Sequence, residues 1–245
     1  MKVWTKIENK IRAFSAGRGY TCDACGGELF DYPYRRVCAS CEEKLLSAER
    51  VCEKCGRETV SDGICLTCKH HLPLFTQSFS PFVYRGETAS LVNRLKNGNR
   101  RLAFYFGEEM AKLLMRVLPN ADMLIVPVPL TKERRRERGY NQAEELAYAV
   151  YAYMQKAEYN VELNVTALEK VRDGASQKHL GFVERAKNVV GSYHLHERKI
   201  FQDKTVVLVD DILTTGATGS ECARILRGAG AREVYLLTVS ALPEL

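Results

Sequence analysis

Val206-Val207-Leu208-Val209-Asp210-Asp211-Ile212-Leu213-Thr214-Thr215-Gly216-Ala217-Thr218-Gly219-Ser220 is the stretch that organises the rest of the chain. Four branched apolar residues in a row read as a strand buried on both faces, as in a parallel sheet, and the run ends in two adjacent carboxylates. Hydroxyls and glycines follow, and then residues 220–227, where Cys222, Ile225 and Leu226 fit one helical face. Strand, polar loop and helix in that order bring backbone N–H groups and a helix N-terminus to one point, which suits a phosphate. Thr hydroxyls can donate to phosphate oxygens, Gly216 lets the backbone come close, and the two carboxylates suit the hydroxyls of a sugar. There is no Walker loop and no Gly-x-Gly-x-x-Gly dinucleotide pattern. The implied ligand is a sugar phosphate.

Working outward, 245 residues allow one large domain or a domain with a small appendage, and 46% hydrophobic with 27% charged residues is a globular composition. No apolar run approaches the roughly 18 residues needed to span a bilayer, and the N-terminus has no signal-peptide pattern, so a cytoplasmic protein is expected. A formal charge of +6, from 36 basic and 30 acidic residues, permits nucleic acid or polyphosphate ligands without requiring them.

Eight of the nine cysteines form four Cys-x-x-Cys pairs: Cys22 and Cys25, Cys38 and Cys41, Cys52 and Cys55, Cys65 and Cys68. Each pair presents two thiolates to one ion, and two pairs complete a tetrahedral zinc site. Sequential pairing of these knuckles is the simplest, although spacing leaves interleaved pairing open. Complete thiolate sets are structural sites. Disulfides are the alternative, disfavoured without an export signal, and a redox pair would need only one such motif. Cys222 stands apart and is expected not to be a ligand.

The domain reading is an N-terminal helix (1–20), a double zinc ribbon (21–70), a linker (71–81) and an α/β domain (82–245). Val3, Trp4, Ile7, Ile11 and Phe14 share a helical face, which can dock on the protein itself or make peripheral membrane contact. Strands are expected at 82–84, 124–130, 161–168 and 234–240, with helices over 88–96, 102–118 and from about 141 to 156. Lys96, Arg100 and Arg101 lie in a basic turn, and Lys132, Arg134, Arg135, Arg136 and Arg138 follow the end of a buried strand. Both clusters are candidates for phosphate or nucleic acid against a merely solvated surface. Tyr140, Tyr105 and Phe106 are candidates to stack on single-stranded bases, or else core. The long polar segment 170–191 reads as a binding loop or lid, with His179 a possible acid or base.

Residues 206–218 resemble, position for position, the phosphoribosyl-pyrophosphate (PRPP) motif of type I phosphoribosyltransferases. Three further features extend the likeness: the cysteine knuckles, Val126-Pro127-Val128-Pro129-Leu130 before Arg138-Gly139-Tyr140-Asn141-Gln142, and Glu184-Arg185 to Asn188-Val189. With them the chain resembles the ComF family of competence proteins, in which a double zinc ribbon precedes a phosphoribosyltransferase domain. The resemblance implies a parallel-sheet α/β fold in which Asp210 and Asp211 hold the ribose hydroxyls. Thr214, Thr215, Gly216, Ala217 and Thr218 would cradle the 5′-phosphate, and Val128, Pro129, Leu130 and Lys132 would face the pyrophosphate with Mg²⁺. A covering loop would hold Arg172, Gln177, Arg185 and Asn188. It also implies a role in uptake of single-stranded DNA with a helicase-like partner, either as a phosphoribosyltransferase or as a non-catalytic module that binds PRPP and DNA.

Overall fold

The computed structural model describes residues 21–31, 36–60, 62–119, 121–172 and 189–244; the expected helix over 1–20 lies outside them. Six strands form one parallel sheet: β1 (Ser78–Phe79), β2 (Phe82–Val83), β3 (Met123–Pro127), β4 (Val161–Leu163), β7 (Thr205–Leu213) and β8 (Glu233–Ala241). Their order is β1-β8-β7-β3-β4, with β2 also paired to β8, so the organising stretch supplies the central strand. A separate antiparallel pair, β5 (Leu168–Lys170) and β6 (Tyr193–Leu195), brackets residues 173–188, which lie outside the described set.

Alternation along the central strands sorts the core into two layers. Val207 and Val209 of β7 join Met123 and Ile125 of β3 under α3 (Gly86–Lys96), α4 (Leu102–Val117) and α6 (Gln142–Lys156). Val206 and Leu208 join Leu124 and Val126 on the other face, with Cys222, Ala223 and Leu226 of α7 (Ala217–Gly228). A strand whose side chains point alternately to two buried faces must be apolar throughout, which is why the run 206–209 carries no polar break.

The cysteine-rich segment divides between the same two layers. Cys22, Ala24, Val37, Cys41 and Leu45, the last three flanking or within α1 (Ala39–Glu42), pack with α3 and α4. Cys52, Cys55, Cys65 and Cys68, near α2 (Leu66–His70), pack with Phe75 and the α7 face. Phe75, in the expected linker, is fully buried.

Two local readings change. The expected strand over 161–168 is two strands, because Asn164 turns the chain by accepting hydrogen bonds from Thr166 N (3.0 Å) and Oγ1 (3.2 Å). The expected basic loop after β3 is largely a helix, α5 (Lys132–Arg138), capped by Thr131 and ended by Gly139 at φ 76°.

At Gly107 α4 packs tightly on α6: a Cβ there would stand 2.4 Å from Ala149 Cβ. Gly107→Ala is therefore expected to lower stability by about 1–3 kcal/mol through overpacking, despite alanine's better helix propensity. Urea unfolding checks this; a gain in stability would contradict the close crossing.

Candidate sugar-phosphate site and cysteine clusters

The pairing of β7 with β3 ends at Pro127 and Val209, whereas its pairing with β8 continues to Leu213 and Ala241. Asp210 and the residues after it therefore project beyond the carboxyl end of β3. From β3 the chain crosses through α5 and α6 to β4 on one side; from β7 it crosses through α7 to β8 on the other. The strand order reverses between β3 and β7, which is where open α/β sheets leave a ligand crevice.

Thr214, Thr215 and Gly216 turn the chain into α7. Gly216 adopts φ 79°, and Thr215 Oγ1 accepts from Ala217 N at 3.3 Å. The helix begins at Ala217, so its first amides point at the crevice without intrahelical partners. Phe75 lies beneath: a Cβ on Gly216 would be 3.5 Å from its ring, and one on Gly219 3.4 Å.

The facing wall is Val128, Pro129, Leu130 and Thr131. Val128 N donates to Val209 O (2.9 Å), and Asn141 Nδ2 donates to Val128 O (3.0 Å), so the start of α6 pins this turn against β7. Beyond it, Lys132 pairs with Glu169 (2.9 Å), Arg135 with Glu144 (2.8 Å), and Arg138 donates to Gln142 (2.7 Å). Arg134 is half-buried and Arg136 exposed. Arg172 donates to Val190 O (2.8 Å) at the base of the β5–β6 hairpin. Gln177, His179, Arg185 and Asn188 lie outside the described residues.

Lys96 has a placement that its sequence context does not suggest. It reaches from the end of α3 to within 3.3 Å of Asp211 Oδ2, so this member of the basic turn faces the acidic pair. The turn is held by Tyr140, whose hydroxyl donates to Leu95 O and accepts from Gly98 N (3.0 Å). Arg100 lies over the Tyr140 ring and pairs with Glu145, and Arg101 pairs with Asp23 (2.8 Å). Tyr140, Tyr105 and Phe106 are all buried, Tyr105 stacked on Phe82 and Phe106 edge-on to it, so they are core and cannot offer rings to bases.

Asp211 N donates to Asp210 Oδ1 (2.8 Å). Burial, and then the neighbouring Asp211 carboxylate, push Asp210 up to about 7; the Asp211 amide, Lys96 and Lys170 pull the other way. Asp210 thus keeps its proton well above the usual carboxylate range.

The cysteines form two groups, Cys22, Cys25, Cys38 and Cys41, and Cys52, Cys55, Cys65 and Cys68, with the sulfurs of each within 4.8 Å of one another. The pairing is sequential. Cys25 and Cys38 sulfurs are 3.9 Å apart and Cys55 and Cys65 sulfurs 3.7 Å. A tetrahedron with Zn–S bonds of about 2.3 Å has edges of about 3.8 Å, so both groups have the size of a zinc site. Backbone amides support the thiolates: Cys25 N and Cys38 N donate to Cys22 Sγ, and Cys55 N and Cys65 N to Cys52 Sγ. Cys222 is on the buried face of α7, where burial pushes its thiol up.

A parallel sheet with an acidic pair and a Thr-rich helix start at its crevice defines a phosphoribosyltransferase-type domain. The chain belongs to the phosphoribosyl transferase domain family, whose model matches residues 103–244. It is also similar over most of its length to Competence protein F of Haemophilus influenzae, at 26% identity, covering 88% of this chain and 87% of that protein. Competence protein ComFC of Bacillus subtilis is 26% identical, covering 81% and 80%, and DNA utilization protein YhgH of Salmonella typhimurium 27% identical, covering 82% and 88%. The resemblance to the ComF family drawn from the motifs is borne out by these relatives. No helix among the described residues is long and apolar enough to cross a membrane.

Proposed function

We propose that the protein binds PRPP with Mg²⁺ in the crevice between β3 and β7 and acts in the uptake of DNA. The observation that carries the reading is the strand end itself: Asp210 and Asp211 lie beyond the edge of β3, one turn of chain before the Gly216 loop and the start of α7. The ribose hydroxyls donate to the carboxylates, and amides and hydroxyls of Thr214, Thr215, Gly216, Ala217 and Thr218 donate to the 5′-phosphate. The diphosphate at C1 lies toward Val128, Pro129, Leu130 and Lys132. Mg²⁺, when bound, offsets the charge of the diphosphate.

In a transfer reaction the bond from C1 to the pyrophosphate oxygen breaks, pyrophosphate leaves with the electron pair, and a nucleophile bonds C1. The chain's contribution is then positioning and charge stabilisation. Each cysteine group holds a structural zinc ion. The names of the relatives, competence and DNA utilization proteins, support the role in DNA uptake, and the exposed Arg135 and Arg136 on α5 give a single strand a basic surface beside the crevice. A helicase-like partner belongs to the same reading by resemblance.

Calorimetry with PRPP and Mg²⁺ tests the binding: heat that disappears without Mg²⁺ is expected, and absence of binding in metal-replete protein would sink the reading. Pyrophosphate release, measured with a panel of bases and with DNA, then separates an enzyme from a module. Release dependent on one acceptor identifies transfer; binding without release identifies a PRPP sensor.

A further inference from the structure

The second cysteine group is joined to the phosphate loop by one buried side chain. Arg57, 7% exposed, donates from Nε to Cys55 Sγ at 3.2 Å and from Nη2 to the carbonyl of Thr214 at 2.9 Å. Thr214 lies 157 residues from Arg57 along the chain, and one planar guanidinium spans both acceptors. We propose that Arg57 is a positioning residue through which the second cysteine cluster sets the shape of the PRPP phosphate loop. The inference deepens the PRPP reading and rests on it for its ligand consequence.

Neighbouring contacts make this link stiff. Gly56 lies against the main chain of Ser78, where a Cβ would meet the carbonyl oxygen at 2.4 Å. Lys54 donates to the carbonyls of Phe75 and Thr76, and Ser78 N donates to Lys54 O at 3.0 Å. Phe75 in turn packs beneath Gly216 and Gly219. The knuckle therefore grips the segment under the loop as well as the loop's first carbonyl. A charged donor on a metal-ligating thiolate and on a backbone carbonyl has the form of an outer-shell contact, which orients both of its partners. Metal in the second cluster fixes Cys55, Cys55 and Thr214 fix Arg57, and the loop amides are held before any phosphate arrives.

Hydrogen exchange at the amides of residues 214–217, read without ligand on zinc-replete protein, tests the coupling directly. Arg57→Ala is expected to keep about two metal ions per chain, to speed exchange at these amides, and to weaken PRPP binding by about tenfold, as for loss of one charged hydrogen bond. Arg50→Ala, an exposed arginine of the same segment paired with Asp62, is expected to match wild type. Where the alanine variant loses metal, Arg57→Lys, which keeps the charge but cannot span both acceptors, is read instead with the same expectation. Unchanged loop exchange in a metal-replete Arg57 variant overturns the proposal. Failure of wild type to bind PRPP would sink the ligand reading alone, since the exchange comparison needs no ligand.

Discussion

A strong chelator is expected to unfold more than the cysteine-rich segment. Structural zinc contributes on the order of 10–16 kcal/mol per site in small peptides, as much as the whole stability of a typical domain, about 5–15 kcal/mol. In this chain the contribution of zinc bound at the two cysteine groups would not be confined to the knuckles. The second group shares a buried layer with β7, α7 and Phe75, and Glu244 near the C-terminus accepts from Thr59 Oγ1 and from Leu66 N (2.6 Å). The first group shares the layer of α3 and α4, and Asp23, between Cys22 and Cys25, holds Arg101 by an ion pair and Asn99 through its carbonyl (2.9 Å). Thermal unfolding followed by circular dichroism should therefore move to much lower temperature on chelation, with loss of signal from the α/β sheet. Metal analysis should find about two ions per chain. Reduced, folded protein with no metal and an unchanged midpoint would refute the assignment.

The second large effect is expected at the acidic pair. Asp210→Asn with Asp211→Asn should weaken PRPP binding at least about a hundredfold, because two charge-assisted hydrogen bonds to ribose hydroxyls are lost, at about 1.5–3 kcal/mol each. The single change Asp210→Asn should have an opposite effect on stability. Native Asp210, raised to about 7 by burial and by Asp211, keeps its proton where the unfolded chain, titrating near 4, has lost it. Stability of the wild type therefore falls as pH rises between these values, by up to about 1.4 kcal/mol for each pH unit, less the share screened by solvent at this partly exposed residue. The variant lacks that loss and should become relatively more stable across the window. Binding should show the mirror image: PRPP affinity in wild type should rise with pH through about 7, as the pair gains its full charge. A flat affinity from about pH 6 to pH 8, or unaltered binding in the double variant, would remove the ribose assignment.

Much of this was legible because it is local chemistry. A strand buried on both faces has to be a continuous apolar run, and the run 206–209 is one. A thiolate site requires paired cysteines at short spacing, and the sequential grouping emerged as the simplest. The end of β7 was harder to read. Asp210 and Asp211 look like the close of a strand, yet pairing with Ser240 and Ala241 on β8 carries it to Leu213, and only the shorter β3 leaves the two carboxylates beyond its end. Likewise Phe75 carries no periodic signal in its Pro-flanked segment, and Tyr140, Tyr105 and Phe106 beside arginines look equally like stacking groups until burial assigns them to the core.

The sequence by itself determined the apolar strand, the acidic pair, the Thr-rich helix start and the eight thiols, because each depends on residue type at short spacing. Tertiary structure alone decided which distant groups meet them. Lys96 reaches Asp211 because α3 ends over the β7 terminus, and Arg57 reaches Thr214 because the second knuckle packs on the α7 face of the sheet. Such contacts have no period and no motif: they follow from where packed layers bring chain ends together, a property of the whole fold.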